Sequence, residues 1–251
     1  MQIPENLIVN ADDFGLKTSV NKAILYCYEH GYINSTSLMA TAGTEINFAF
    51  DEAVEMIHAN TSIQNVGVHI NLDDGKPLTN FKNKRYLTAN GHWDKSTTSK
   101  KVKFLDTQTK NDFRAEIEAQ VLKVVNSKVK ITHIDSHHHL HTLPGFYEIF
   151  LDAAQRHKVK LRLAQTYNEG SYIKFLFRRY INRKITNSGC NYSDQFETID
   201  YFLSNKIPRK DKGATELMLH PDFDISGQLT DHYSATDMSG WVNYLKGLNN
   251  A

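Results

Sequence analysis

Short apolar runs alternate with stretches of helical period along most of the chain. Leu7-Ile8-Val9 is a compact run that reads as a buried strand ending at Asn10-Ala11-Asp12-Asp13, with Gly15 as punctuation. Residues 19–30 place Val20, Ala23, Ile24 and Tyr28 on one face, which predicts an amphipathic helix stopped at Gly31. The same reading gives a strand over 37–41, a helix over 48–59, a strand over 66–71 and a helix over 112–126. Further strands are expected at 131–136, 160–163 and 216–220, with helices at 146–157 and 241–248. Residues 171–205 read as helical segments broken near Gly189.

Periodicity fails between residues 72 and 110, which are rich in Lys, Asn, Thr and Gly. So long a connection inside a compact domain predicts a lid or loop insertion. No linker or repeat divides the rest, so residues 1–251 read as one domain. Strands alternating with helices imply βαβ units and a parallel sheet. At this length the expected fold is an α/β distorted (β/α) barrel of TIM-barrel type. The polar clusters Asp12/Asp13, His69/Asn71, 135–141 and His220 all fall where strands end, which is where such barrels build their sites.

Bulk composition narrows the function classes. Of 251 residues, 40% are hydrophobic and 23% charged, which supports a sizeable core. A formal net charge of +1 gives no basis for a nucleic-acid or anionic-membrane partner. Two cysteines, Cys27 and Cys190, form no metal or disulfide motif. Without an apolar run near 18 residues or a basic start, the expectation is a cytoplasmic protein with no membrane span. The outlying number is twelve histidines, five of them between 133 and 141.

Those histidines carry the candidate chemistry. A pleated strand points Asp12 and Asp13 to opposite faces, so a turn is needed to aim both into one cavity. Alone, such a pair reads more readily as solvated turn residues capping the next helix. Period two puts Gly67, His69 and Asn71 on one face of their strand and Val68 and Ile70 on the other. While the chain stays extended, His133, Asp135, His137, His139 and His141 also share a face. Burying that row unpaired is costly, and a metal ion relieves the cost by taking imidazole lone pairs. Asp135 could then accept a ring N–H and fix a tautomer. His220, held by Pro221, could donate a proton to a leaving group. Trp93 in the insertion reads as a sugar-stacking residue or an anchor, and Arg162 at a strand end as a substrate contact.

Taken in order, Leu7-Ile8-Val9-Asn10-Ala11-Asp12-Asp13-Phe14-Gly15, Gly67-Val68-His69-Ile70-Asn71-Leu72, residues 132–141 and His220-Pro221 resemble the YdjC-like carbohydrate deacetylases, which include the chitooligosaccharide and chitobiose enzymes. The resemblance implies a barrel-like fold and hydrolysis of the N-acetyl group of an amino sugar. It makes Asp13, His69 and His137 the metal ligands, Asp12 the general base and His220 the general acid. The implied cofactor is a divalent ion, Mg²⁺, and two imidazoles also suit Zn²⁺. A small carbohydrate is the expected partner and a homodimer the expected assembly. The chain departs from the family pattern at Tyr233 to Gly240, which lacks the arginine expected there. Two rival readings are a metal-dependent phosphoesterase or other amidohydrolase, and a non-catalytic sugar- or metal-binding protein.

Overall fold

The computed structural model describes residues 1–41, 48–100, 105–204, 213–233 and 238–249. The elements are β1 (Leu7–Phe14), α1 (Thr18–Glu29), β2 (Ser35–Met39), α2 (Phe48–Ala59), β3 (Val66–Ile70), α3 (Lys95–Thr98), α4 (Thr107–Asn126), β4 (Ile131–Ser136), α5 (Tyr147–His157), β5 (Lys160–Leu161), α6 (Tyr172–Asn187), β6 (Gln195–Thr198), α7 (Ile199–Ser204), β7 (Thr215–Leu219), β8 (Pro221–Phe223), β9 (Leu229–Asp231) and α8 (Met238–Asn249). No described helix is long and apolar enough to cross a membrane.

Seven strands form one all-parallel sheet in the order β5-β4-β3-β2-β1-β7-β6. Its two edges approach each other through a parallel bridge between Leu161 and Asn191 and a hydrogen bond from Thr166 N to Phe196 O of 3.1 Å. The curled sheet is therefore a distorted barrel. The outward positions, Val9, Val68, Ile70, Ile134 and Leu217, join the core that α1, α2, α4 and α5 cover. The inward positions are polar: Asn10, Asp12, Ser35, Ser37, His69, His133, Asp135 and Glu216 are all buried. Period two makes this split unavoidable, because alternate residues of each strand must face opposite layers.

Gly67 is required by that interior. A Cβ there would lie 2.3 Å from the His133 ring, which stacks on Tyr192 at 4.2 Å. The bare glycine lets an imidazole cross the barrel floor. Burial pushes His133 down to about 4, so the ring sits there neutral.

Residues 72–110 are more anchored than their sequence suggests. Asp106 caps α4 by accepting from Thr109 N at 2.8 Å, so the helix starts five residues before its apolar periodicity shows. Glu116, fully buried on α4, accepts from Leu78 N, Thr79 N and Thr79 Oγ1. Phe113 lies among Phe81, Tyr86, Trp93 and Phe146, with ring centroids 4.8–5.9 Å away. Burying one such phenyl is worth roughly 1.5–3 kcal/mol, which ties the insertion to the helix. Residues 101–104 lie outside the described residues.

Two elements depart from the sequence reading. Residues 195–198 form strand β6 rather than helix, because pairing with β7 overrides four residues of weak local preference. Pro221, expected only to end a strand, opens β8, which pairs antiparallel with β9. Proline is tolerated there because it is the first residue of an edge strand.

Candidate active site

The C-terminal end of β1 aims both aspartates inward. Asp13 adopts φ 69°, and the β1–β2 register slips between Ala11 and Phe14. A left-handed residue inside a bulge breaks the strand alternation, and Asp accepts that conformation more readily than most residues. Asp12 keeps the inward direction of Asn10, and Asp13 turns onto the rim.

Asp13 Oδ1 lies 3.1 Å from His69 Nε2 and 3.0 Å from His137 Nδ1. All three residues are buried, and their donor atoms lie within 4.8 Å of one another. Burial opposes the charge on Asp13, but hydrogen bonds from His137, His232 and His69 outweigh it and hold the carboxyl well below its usual range. His69 is oriented from behind, with Nδ1 2.7 Å from Asp135 Oδ1. That contact leaves Nε2 as the nitrogen facing Asp13, which is the tautomer a metal-binding histidine needs. Burial disfavours a proton on His69, yet the charge of Asp135 and hydrogen bonds to Asp13 and Asp135 hold its pKa well above the ordinary imidazole value. A divalent ion in the proton's place would satisfy the same anions. Ligands about 2.1 Å from such an ion stand about 3 Å apart at neighbouring vertices, so this donor set fits one.

Beneath the rim, Arg162 binds three carboxylates and is completely buried. Its Nη1 and Nη2 donate to Asp12 at 2.6 and 2.7 Å, and its Nε donates to Glu216 at 2.6 Å. Nη2 also lies 2.8 Å from Asp135 Oδ2, an ion-pair contact off the hydrogen-bond direction. Asn10 Nδ2 adds a bond to Asp12 Oδ1 at 2.8 Å. Burial drives Glu216 up to about 7 against the pull of Arg162. The expectation that Arg162 contacts substrate is therefore corrected. It is completely buried and three of its N–H groups already donate to carboxylates, so it offers no free fork for a phosphate.

His220 follows β7 on the inward face. Burial disfavours its charge, but the Asp231 carboxylate and the charges of Asp12 and Asp13 raise its pKa above the ordinary value. Asp231 Oδ1 lies 3.6 Å from its Nδ1, and Asp231 Oδ2 accepts from its backbone N at 2.8 Å. Sequence reasoning missed Asp231 and His232 and took Tyr233 only as the start of the divergent stretch; the β8–β9 hairpin carries all three back over the site. His232 Nε2 lies 3.2 Å from Asp13 Oδ2, and the Tyr233 ring is 4.6 Å from that of His220. The only sequence signal was their adjacency in Asp231-His232-Tyr233, because the hairpin itself has no periodic pattern. Of the divergent stretch, residues 234–237 lie outside the described residues.

The histidine row does not continue past His137. His138 and His139 take φ of 49° and 56°, so the extended face ends there. His139 instead packs near His141 and Phe196, with burial holding its pKa well below the ordinary value. It joins no group of converging metal donors among the described residues. His138 turns outward to Asp73 Oδ2 at 2.8 Å and Lys95 Nζ at 2.9 Å. Asp73, His137 and His138 also converge, but the Lys95 ammonium beside them works against a second cation. Trp93 is only 4% exposed and stacks on Phe113, so it anchors the insertion and offers no ring face to a sugar.

Comparison with known proteins places these residues in context. A family model described as YdjC-like protein matches residues 6–241. A carbohydrate deacetylase of Thermoanaerobacter pseudethanolicus is 29% identical over 235 residues, covering 86% of this chain and 81% of that protein. One from Vibrio parahaemolyticus serotype O3:K6 is also 29% identical, over 223 residues, covering 86% and 78%. A crystal structure from Enterococcus faecalis V583, named for cellobiose-phosphate cleavage, shares the fold. Its TM-score is 0.64 at 21% identity, covering 88% of this chain and 82% of that one.

Proposed function

The chain belongs to the YdjC-like protein family, and on that premise we propose that it is a metal-dependent hydrolase that removes N-acetyl groups from amino sugars such as chitobiose and related oligosaccharides. The observation that carries this reading is the buried convergence of Asp13, His69 and His137 at the C-terminal mouth of the barrel. These three would hold one divalent ion, with Mg²⁺ as the first assignment and Zn²⁺ the alternative. When bound, such an ion polarises an acyl oxygen and lowers the pKa of a bound water.

The chain's own groups do the rest. Asp12 takes the proton of the attacking water. Its carboxylate is aimed by Arg162 and Asn10, and Oδ2, bonded once by Arg162, keeps a lone pair for that proton. His220, held cationic by Asp231, protonates the departing amine. Asp73, at the start of the insertion, pairs with His138 beside His137 and so borders the side on which the substrate would sit. The setting is cytoplasmic, and the substrate is a small carbohydrate.

The test is acetate release from diacetylchitobiose by protein stripped of metal and then resupplied with Mg²⁺ or Zn²⁺. Release restored by either ion is the expected result. Folded protein that binds metal but releases no acetate with either ion would overturn the assignment.

A further inference from the structure

Asp13 is held at both oxygens, and the second hold comes from a residue outside the ligand set. Oδ1 faces His69 Nε2 and His137 Nδ1, both delivered by parallel strands of the barrel. Oδ2 faces His232 Nε2 at 3.2 Å, delivered by the hairpin after β7. His232 belongs to none of the groups of converging donors among the described residues, including the one made by Asp13, His69 and His137.

We propose that His232 is a positioning residue for the metal site: by donating from Nε2 to Asp13 Oδ2, it fixes the carboxylate so that Oδ1 alone is offered to the ion. This rests on the metal reading above. The terminal torsion of an aspartate is broad, so an untethered Asp13 would rotate and present either oxygen or both. His232 is well placed to prevent that. Its backbone N bonds to His220 O at 3.1 Å, its side chain is 18% exposed, and its ring packs against those of His220 and Tyr233 at 5.4 and 4.5 Å. Its Nδ1 is buried with no hydrogen-bond partner among the described residues, so Nε2 carries the ring's one polar tether there. The hairpin thus connects the metal-binding carboxylate to the proton donor: Asp231 holds His220, and the next residue holds Asp13. Partners that orient a ligand in this way typically contribute about 10–100-fold in metal affinity.

Calorimetric titration of the stripped full chain with Zn²⁺ and with Mg²⁺ tests the idea, alongside melting of the metal-free proteins. His232→Ala is expected to weaken binding at least about 10-fold. His232→Gln keeps an N–H donor on a side chain of similar reach and is expected to bind within about threefold of wild type. It also keeps the question answerable if the alanine variant fails to fold. Wild-type affinity in His232→Ala would overturn the proposal. So would His232→Gln binding as weakly as His232→Ala, because the ring would then be a ligand itself. A wild-type chain that takes up neither ion would overturn the metal reading together with this inference, whereas normal uptake by a well-folded His232→Ala would overturn this inference alone.

Discussion

The two halves of the site are built by different means. Asp13, His69 and His137 stand at or just beyond the ends of β1, β3 and β4, adjacent to a sheet whose backbone ladder fixes their spacing. Below them Arg162 neutralises Asp12, Asp135 and Glu216 in a fully buried network. His220, Asp231, His232 and Tyr233 belong instead to the end of β7 and a hairpin of two three-residue strands. That half stands outside the parallel ladder, held by its own antiparallel pairing and by packing on α1, where Lys17 pairs with Asp222 at 2.6 Å. The contrast assigns the metal donors to the rigid parallel ladder and proton delivery to the end of β7 and the separate hairpin beside it, with Asp13 as the point of contact.

Asp13→Ala strikes the shared point and carries the largest expected effect. Metal uptake in calorimetry and acetate release should be lost together. Retained tight binding would move the metal away from the strand half altogether. Asp12→Asn separates holding from chemistry. Its amide can still pack beside Arg162 but cannot take a proton, so metal affinity should persist while kcat falls by about 10²–10⁴-fold. Turnover near wild type would remove Asp12 from the role of base.

Arg162→Met tests whether the rigid half depends on its buried cation. Three carboxylates would lose their common partner, and removing one side of a buried ion network costs ~3–5 kcal/mol. Urea unfolding measures it. A loss below about 1 kcal/mol would mean that protonation of Glu216, already pushed up to about 7, and of its neighbours absorbs the change.

The same contrast decides what the sequence alone could reveal. The strand half was legible because period two is strict. Gly67-Val68-His69-Ile70-Asn71 announces an inward polar face, and Leu7-Ile8-Val9 leads directly to Asp12-Asp13. What that rule could not give was the φ of 69° at Asp13, which breaks alternation, or the left-handed pair His138-His139, which ends the histidine row. Arg162 was seen at a strand end, but its three carboxylate partners come from β1, β4 and β7, so only the assembled sheet shows that it is buried among them. The hairpin half has no periodicity to read. Asp231 and His232 become visible only once β8 and β9 pair and return the chain over His220.

Asp231→Asn is the mildest change and tests the hairpin half by itself. His220 must be protonated to act as an acid, so activity falls as pH rises through its pKa. Burial lowers that pKa, and Asp231 together with Asp12 and Asp13 more than restores it. The asparagine removes one of these charges but can still accept from His220 N, so the hairpin should keep its geometry. The alkaline limb of the kcat profile should therefore move to lower pH. The deficit should be larger at pH 8 than at pH 6, with metal affinity unchanged. An alkaline limb that stays in place would show that another group gives the amine its proton, and the hairpin would then serve the metal site through His232 alone.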